Sequence, residues 1–178
     1  MMVNIRWHGR GGQGAFTAAR LLGAAYSSHE NKYALAFPSF GPERRGAPIQ
    51  AFTKLDTKPV VNRSEVDKAD YIIFLDDTLF TEGILTELKQ GGKVLLNTKQ
   101  SFENPRVLTI NADSIAAEIL KQPITNTIML GAFASVFDGI NLDDIKEAIR
   151  LFMPKKLHEK NIAAVEQAAT QINRGVLL

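Results

Sequence analysis

Three stretches of this 178-residue sequence gather residue types that handle anions and protons. The first is Gly9-Arg10-Gly11-Gly12-Gln13-Gly14, whose glycines at 9, 11 and 14 keep the spacing G-x-G-x-x-G. A turn of this kind, fed by a strand and opening a helix, leaves the first backbone N–H groups of the helix without partners. With the positive end of the helix dipole they form a site for phosphate or carboxylate. The second is Glu43-Arg44-Arg45, which offers two guanidinium forks of the geometry that carboxylates and phosphates accept. The third is Asp76-Asp77. Paired acids there either bind a metal or move protons or, on the simpler reading, one of them caps a helix starting at Thr78.

The surroundings limit what the first stretch can hold. A dinucleotide loop needs an acid at the tip of the second strand to hold the ribose hydroxyls. Here that strand runs into Phe37-Pro38-Ser39, and Glu30 lies before it. The Lys-Ser/Thr ending of a nucleotide-hydrolysing loop is also missing. Two readings stay open: glycines that only let a helix pack close to a strand, or an anion or partner site. Arg10 and Gln13 favour the second, because a packing turn needs small residues and these supply donors and a fixed charge. Pro38 to Pro48, with three prolines and two glycines in eleven residues, is a stiffened loop of the length that often carries function.

These stretches need elements to hold them. Val3 to His8 reads as a short buried strand and Ala15 to Ser28 as a helix apolar almost all round. A helix of that kind lies either between a sheet and another helix or in a subunit interface. Lys32 to Phe37 and Ile49 to Leu55 read as strands, the latter with Val60 and Val61 as an extension. Tyr71 to Leu75 reads as a central parallel strand covered on both faces. Thr78 to Gln90 is expected to be helical up to Gly91-Gly92, with strands at Lys93 to Asn97 and Val107 to Ile110. Helices are expected at Ala112 to Lys121, at Thr127 to Phe137, after Asn141 as cap, and after Pro154. The alternation predicts an α/β fold, a three-layer sandwich with a mainly parallel, Rossmann-like sheet and a helical C-terminal third, in one domain spanning residues 1–178.

Composition narrows the function classes. Formal net charge is only +2, too small to suggest nucleic-acid binding by bulk electrostatics. Residues 1–65 carry nine Lys/Arg against four Asp/Glu, so the positive half is the half with the glycine loop. That fits an anionic ligand or partner, or is an uneven surface of no consequence. With no cysteine, the chain has no disulfide, no thiolate for zinc or an iron–sulfur cluster and no cysteine nucleophile. His8, His29 and His158 lack metal-ligand spacing, and His8 at a strand end reads as structural. No run reaches the ~18–20 apolar residues of a membrane span, nor does the N-terminus read as a signal peptide, so a cytoplasmic protein is expected. No nucleophile–base pair or metal cluster stands out, and no catalytic residue is assigned.

Two long motifs carry a family resemblance. Ile5-Arg6-Trp7-His8-Gly9-Arg10-Gly11-Gly12-Gln13-Gly14-Ala15 and Ala36-Phe37-Pro38-Ser39-Phe40-Gly41-Pro42-Glu43-Arg44-Arg45-Gly46-Ala47-Pro48, in this order, closely resemble the gamma subunit of 2-oxoacid:ferredoxin oxidoreductases. Leu75-Asp76-Asp77-Thr78-Leu79, Asn126-Thr127-Ile128-Met129-Leu130-Gly131-Ala132 and the region of Asn161 extend the resemblance over the whole chain. It implies one part of a complex that decarboxylates a 2-oxoacid oxidatively to an acyl-CoA and reduces ferredoxin. Alpha, beta and delta subunits would bring thiamine diphosphate, Mg2+ and the iron–sulfur clusters, and this chain would bind no cofactor firmly. The Arg44-Arg45 loop ending in Gly46-Ala47-Pro48 is similar to the pyruvate branch, with branched-chain 2-oxoacids such as 2-oxoisovalerate second. Gly9 to Gly14, Glu43, Arg44 and Arg45 are the expected binding residues, for a CoA phosphate or for a neighbouring subunit. A nucleotide-binding or purely structural interface module is the rival expectation.

Overall fold

In a computed structural model of the chain, residues 1–39, 41 and 44–172 are described. Six strands form one sheet: β1 (Val3–Arg10), β2 (Tyr33–Pro38), β3 (Pro48–Asp56), β4 (Ala69–Phe74), β5 (Leu88–Asn97) and β6 (Val107–Ile110). Their order is β2-β3-β1-β4-β5-β6. β1, β4, β5 and β6 run parallel, while β3 is antiparallel to both β1 and β2. The chain leaves β1 through helix α1 (Ala15–Ser27), builds β2 and β3 on one side, then crosses to β4 on the other. The switch point therefore lies between the carboxyl ends of β1 and β4, where open α/β sheets place their ligands.

Alternation along β1 sorts the two faces. Ile5 and Trp7 point into a core shared with the helices, whereas Arg6 and His8 belong to the opposite face. All the helices pack on the first face: α1, α2 (Ala112–Ile115, continued by a wider π turn over Ala116–Leu120), α3 (Asn126–Ala134), α4 (Leu142–Phe152) and α5 (His158–Gln171). α1 lies between the sheet and α4, which is why it is apolar on more than one side. Trp7 Nε1 donates to Thr53 Oγ1 at 3.1 Å, and that hydroxyl donates to the Ala19 carbonyl at 3.1 Å, so β1, β3 and α1 meet through a satisfied buried chain.

The opposite face differs from expectation. The third layer contains no α-helix among the described residues: short 3₁₀ turns at Asp77–Leu79 and Glu82–Glu87 cover Phe52, Phe74 and Leu96, with Leu79, Phe80, Ile84, Leu85 and Phe102 as the lid. The helix expected over Thr78 to Gln90 is thus replaced by these turns, and β5 begins at Leu88 instead of Lys93. Thr78, Phe80, Thr81 and Gly83 are poor helix formers, and packing their apolar neighbours on the sheet outweighs the remaining propensity. Val60 and Val61 lie in irregular chain and do not extend β3.

The C-terminal third is helical as expected. Asn141 caps α4 in a reciprocal capping box with Asp144. α3 is buried along nearly its whole length. Gly131 makes that possible, because a Cβ there would sit 2.6 Å from the Val165 carbonyl oxygen of α5.

Candidate functional site

Strand direction brings the singled-out stretches to one edge. Arg10 pairs with Pro48 at the end of the β1–β3 ladder, Pro38 with Ala51 at the end of β2–β3, and His8 with Phe74 near the end of β1–β4. The glycine loop after β1, the segment before β3 and Asp76-Asp77 after β4 therefore converge at the switch point.

The two loops are joined through their backbones. Gly11 N donates to Ala47 O at 2.8 Å and Gly46 N to Gly11 O at 3.0 Å. A Cβ on Gly11 would stand 2.3 Å from the Arg44 carbonyl oxygen, so this approach requires glycine. Gly14 adopts a left-handed conformation, φ 81°, and its carbonyl accepts from Asn126 Nδ2 at 3.3 Å.

Arg10 and Gln13 turn inward. Arg10 donates through Nε to Asp76 Oδ2 at 3.2 Å, through Nη1 to the Gly46 carbonyl at 3.2 Å and through Nη2 to the Thr78 hydroxyl at 2.9 Å. Gln13 Nε2 donates to the same Asp76 oxygen at 3.1 Å, while its Oε1 accepts from Arg10 N at 2.7 Å. The Thr78 N–H and hydroxyl both donate to Asp76 Oδ1. Burial alone would raise the Asp76 pKa. The Thr78 hydroxyl, the Gln13 amide, the Thr78 backbone N–H and the Arg10 charge together hold it below the ordinary 3.8. Arg10 and Gln13 thus fasten the loop pair, and the donors and charge that the sequence reading assigned to them are spent on Asp76, Thr78 and Gly46.

Arg44 and Arg45 are exposed and have no ion-pair partner among the described residues, while Glu43 lies outside them. Gly12 is open, with nothing within 4 Å of an added Cβ. α1 has no side-chain cap and no acid in its first turn. A missing cap costs about 1 kcal/mol, whereas burying leucines such as Leu21 and Leu22 contributes about 1.5–3 kcal/mol each. Packing holds the helix and its first N–H groups stay available. The Gln13 N–H is taken by the Arg10 carbonyl at 2.9 Å, so an anion here would meet the donors of Gly12, Gly14 and Ala15, flanked by Arg44 and Arg45.

Asp76 and Asp77 do not act as a pair. Asp76 caps the 3₁₀ turn, and Asp77 Oδ2 accepts from Thr98 Oγ1 at 2.7 Å. Among the described residues no group of three His, Asp or Glu is placed to hold a metal ion. His8 stacks on Phe74, with centroids 4.5 Å apart. Burial, with the Arg6 charge second, lowers its pKa to about 3, so it is a neutral imidazole at working pH.

Two residues without an assigned role in the sequence reading matter here. Asn97 ties the neighbouring strand ends together: its Nδ2 donates to Leu75 O and Asp113 Oδ1, and its Oδ1 accepts from Ala112 N. Its place at a parallel strand's carboxyl end was the available signal. Asn126 props Gly14 from 112 residues away, which no local pattern announces.

Residues 4–171 match the family model described as pyruvate ferredoxin/flavodoxin oxidoreductase. "Pyruvate synthase subunit PorC" of Methanothermobacter marburgensis is 45% identical over 170 residues, covering 94% of this chain and 96% of that protein. "Pyruvate/ketoisovalerate oxidoreductases common subunit gamma" of Thermococcus kodakarensis is 43% identical over 177 residues, covering 94% and 95%. The crystal structure of pyruvate oxidoreductase subunit PORC from Thermotoga maritima superposes with a TM-score of 0.83 at 31% identity, covering 97% of each chain.

Proposed function

The chain belongs to the pyruvate ferredoxin/flavodoxin oxidoreductase family as a gamma-type subunit, and on that premise we propose that it serves a cytoplasmic complex that oxidises pyruvate to acetyl-CoA and reduces ferredoxin. No helix among the described residues is long and apolar enough to cross a membrane. Alpha, beta and delta chains would complete the complex. Iron–sulfur clusters would need cysteines that the sequence lacks, and thiamine diphosphate with its Mg2+ finds no group of three His, Asp or Glu among the described residues. They belong to those other chains, and no bond-breaking step is assigned to this one.

The contribution of this chain is the switch-point edge. Asp76, Arg10, Gln13 and Thr78 fix the glycine loop against the segment before β3. So held, the loop presents the backbone donors of Gly12, Gly14 and Ala15 beside the exposed Arg44 and Arg45, and there it positions a phosphate of CoA at the seam with a neighbouring subunit. The observation that carries the reading is the contrast between an arginine consumed internally and two left facing outward. Relatives named for a subunit common to pyruvate and ketoisovalerate enzymes support a further point. The 2-oxoacid is selected on another chain, and this one handles what both reactions share.

The test is Arg44→Ala with Arg45→Ala in the assembled enzyme. We expect the KM for CoA to rise about tenfold or more, as when a charge-assisted contact of roughly 1.5–3 kcal/mol is removed. Unchanged CoA kinetics together with unchanged assembly would refute it.

A further inference from the structure

A second surface stands beside the loop edge. A cavity of about 270 Å³ opens between the end of the π turn, the chain leading into α3 and the start of α5. Its apolar lining is Leu120, Ile124, Met153 and Leu157, and Lys156 and Lys160 stand at its sides. Ile124, on the rim of this cleft, is 39% exposed. Neither lysine's ammonium group has a hydrogen bond or an ion pair among the described residues, and those of the nearby Lys121 and Lys155 have none either. The acid in the same helical turn, Glu159, is exposed and pairs with none of them. Asn126 lines this cleft and also donates to the Gly14 carbonyl, so the cleft backs directly onto the start of α1.

We propose that this cleft docks an acidic segment with an apolar tip, contributed by another subunit of the oxidoreductase. Charge complementarity selects that occupant. Unpaired lysines spaced i, i+4 favour carboxylates, and the aliphatic floor requires a side chain to fill it. A second copy of this chain would bring four lysines together, and a polyanion would leave the apolar floor uncovered. The proposal rests on the chain's being a subunit of the complex, but not on where CoA binds. Docking here would brace Asn126, and with it Gly14 and the glycine loop, so the seam and the anion donors would be set by one contact.

The experiment is co-production of the complex with Lys156→Glu and Lys160→Glu together. Both side chains are exposed and unpaired, so the isolated variant keeps the wild-type circular dichroism and melting temperature. We expect its recovery in the complex at about 0.1 M salt to fall at least tenfold, and wild-type assembly to weaken with added salt as screened charge pairs do. Ile124→Ala should also lower recovery, but without changing the salt dependence. Assembly of the glutamate variant equal to wild type at all salt concentrations would overturn the proposal. So would normal assembly with weakened CoA binding, which would make the cleft a small-anion site. Loss of CoA affinity in the Arg44/Arg45 variant with normal assembly of the lysine variant would leave the loop-edge reading standing and remove this one.

Discussion

Asp76 receives hydrogen bonds from Arg10, Gln13 and both donors of Thr78, so one carboxylate fixes the geometry of two loops. Asp76→Ala would leave those donors without their acceptor and should cost about 1–3 kcal/mol in urea unfolding. The pH dependence follows from the depressed pKa. Above the unfolded-state value of 3.8 the native contacts favour the ionised form fully, and that stabilisation is lost as pH falls through the lower folded value. The stability gap between wild type and Asp76→Asn should therefore be constant from pH 5 upward and shrink only below about pH 4. His8 has the opposite chemistry. Its folded pKa of about 3 means that only the unfolded chain takes up this proton between 6.5 and 3, so His8 penalises the fold progressively in acid. Its ring resonances should not shift between pH 5 and 8; a titration midpoint in that range would contradict the stacked, buried environment.

Close backbone approaches set the elements. Gly11→Ala would drive a Cβ into the Arg44 carbonyl and part the two loops, and Gly131→Ala would do the same between α3 and α5. Each should destabilise by about 1–3 kcal/mol in denaturant, but only Gly11→Ala should also raise the KM for CoA. Asn141→Ala, which removes the capping box of α4, should cost about 1 kcal/mol without touching catalysis. At this scale most of the architecture could be read from local pattern. The strands read from Val3, Ile49 and Val107 and the helix capped by Asn141 follow from apolar runs and punctuation. The 3₁₀ layer did not follow, because Phe80, Ile84 and Leu85 give a helix-like pattern that only the waiting sheet face resolves. The gathering of the site residues was legible, since parallel strands place their following loops at one edge. The inward turn of Arg10 was not, because its partner Asp76 is 66 residues away.

Among the described residues, two loops meet at the switch-point edge, a basic, apolar cleft lies behind them, and Arg10, Gln13 and Asp76 bond inward. That arrangement suits a chain whose chemistry is completed by neighbours. Its similarity to gamma subunits over nearly the full length of both partners makes it a subunit of a multi-subunit oxidoreductase. The most direct measurement is to capture the tagged chain from its native cell and assay the eluate for ferredoxin reduction. We predict that the chain elutes in a complex whose activity needs both pyruvate and CoA. Elution of the chain alone, or in an assembly without CoA-dependent oxidation of any 2-oxoacid, would contradict it.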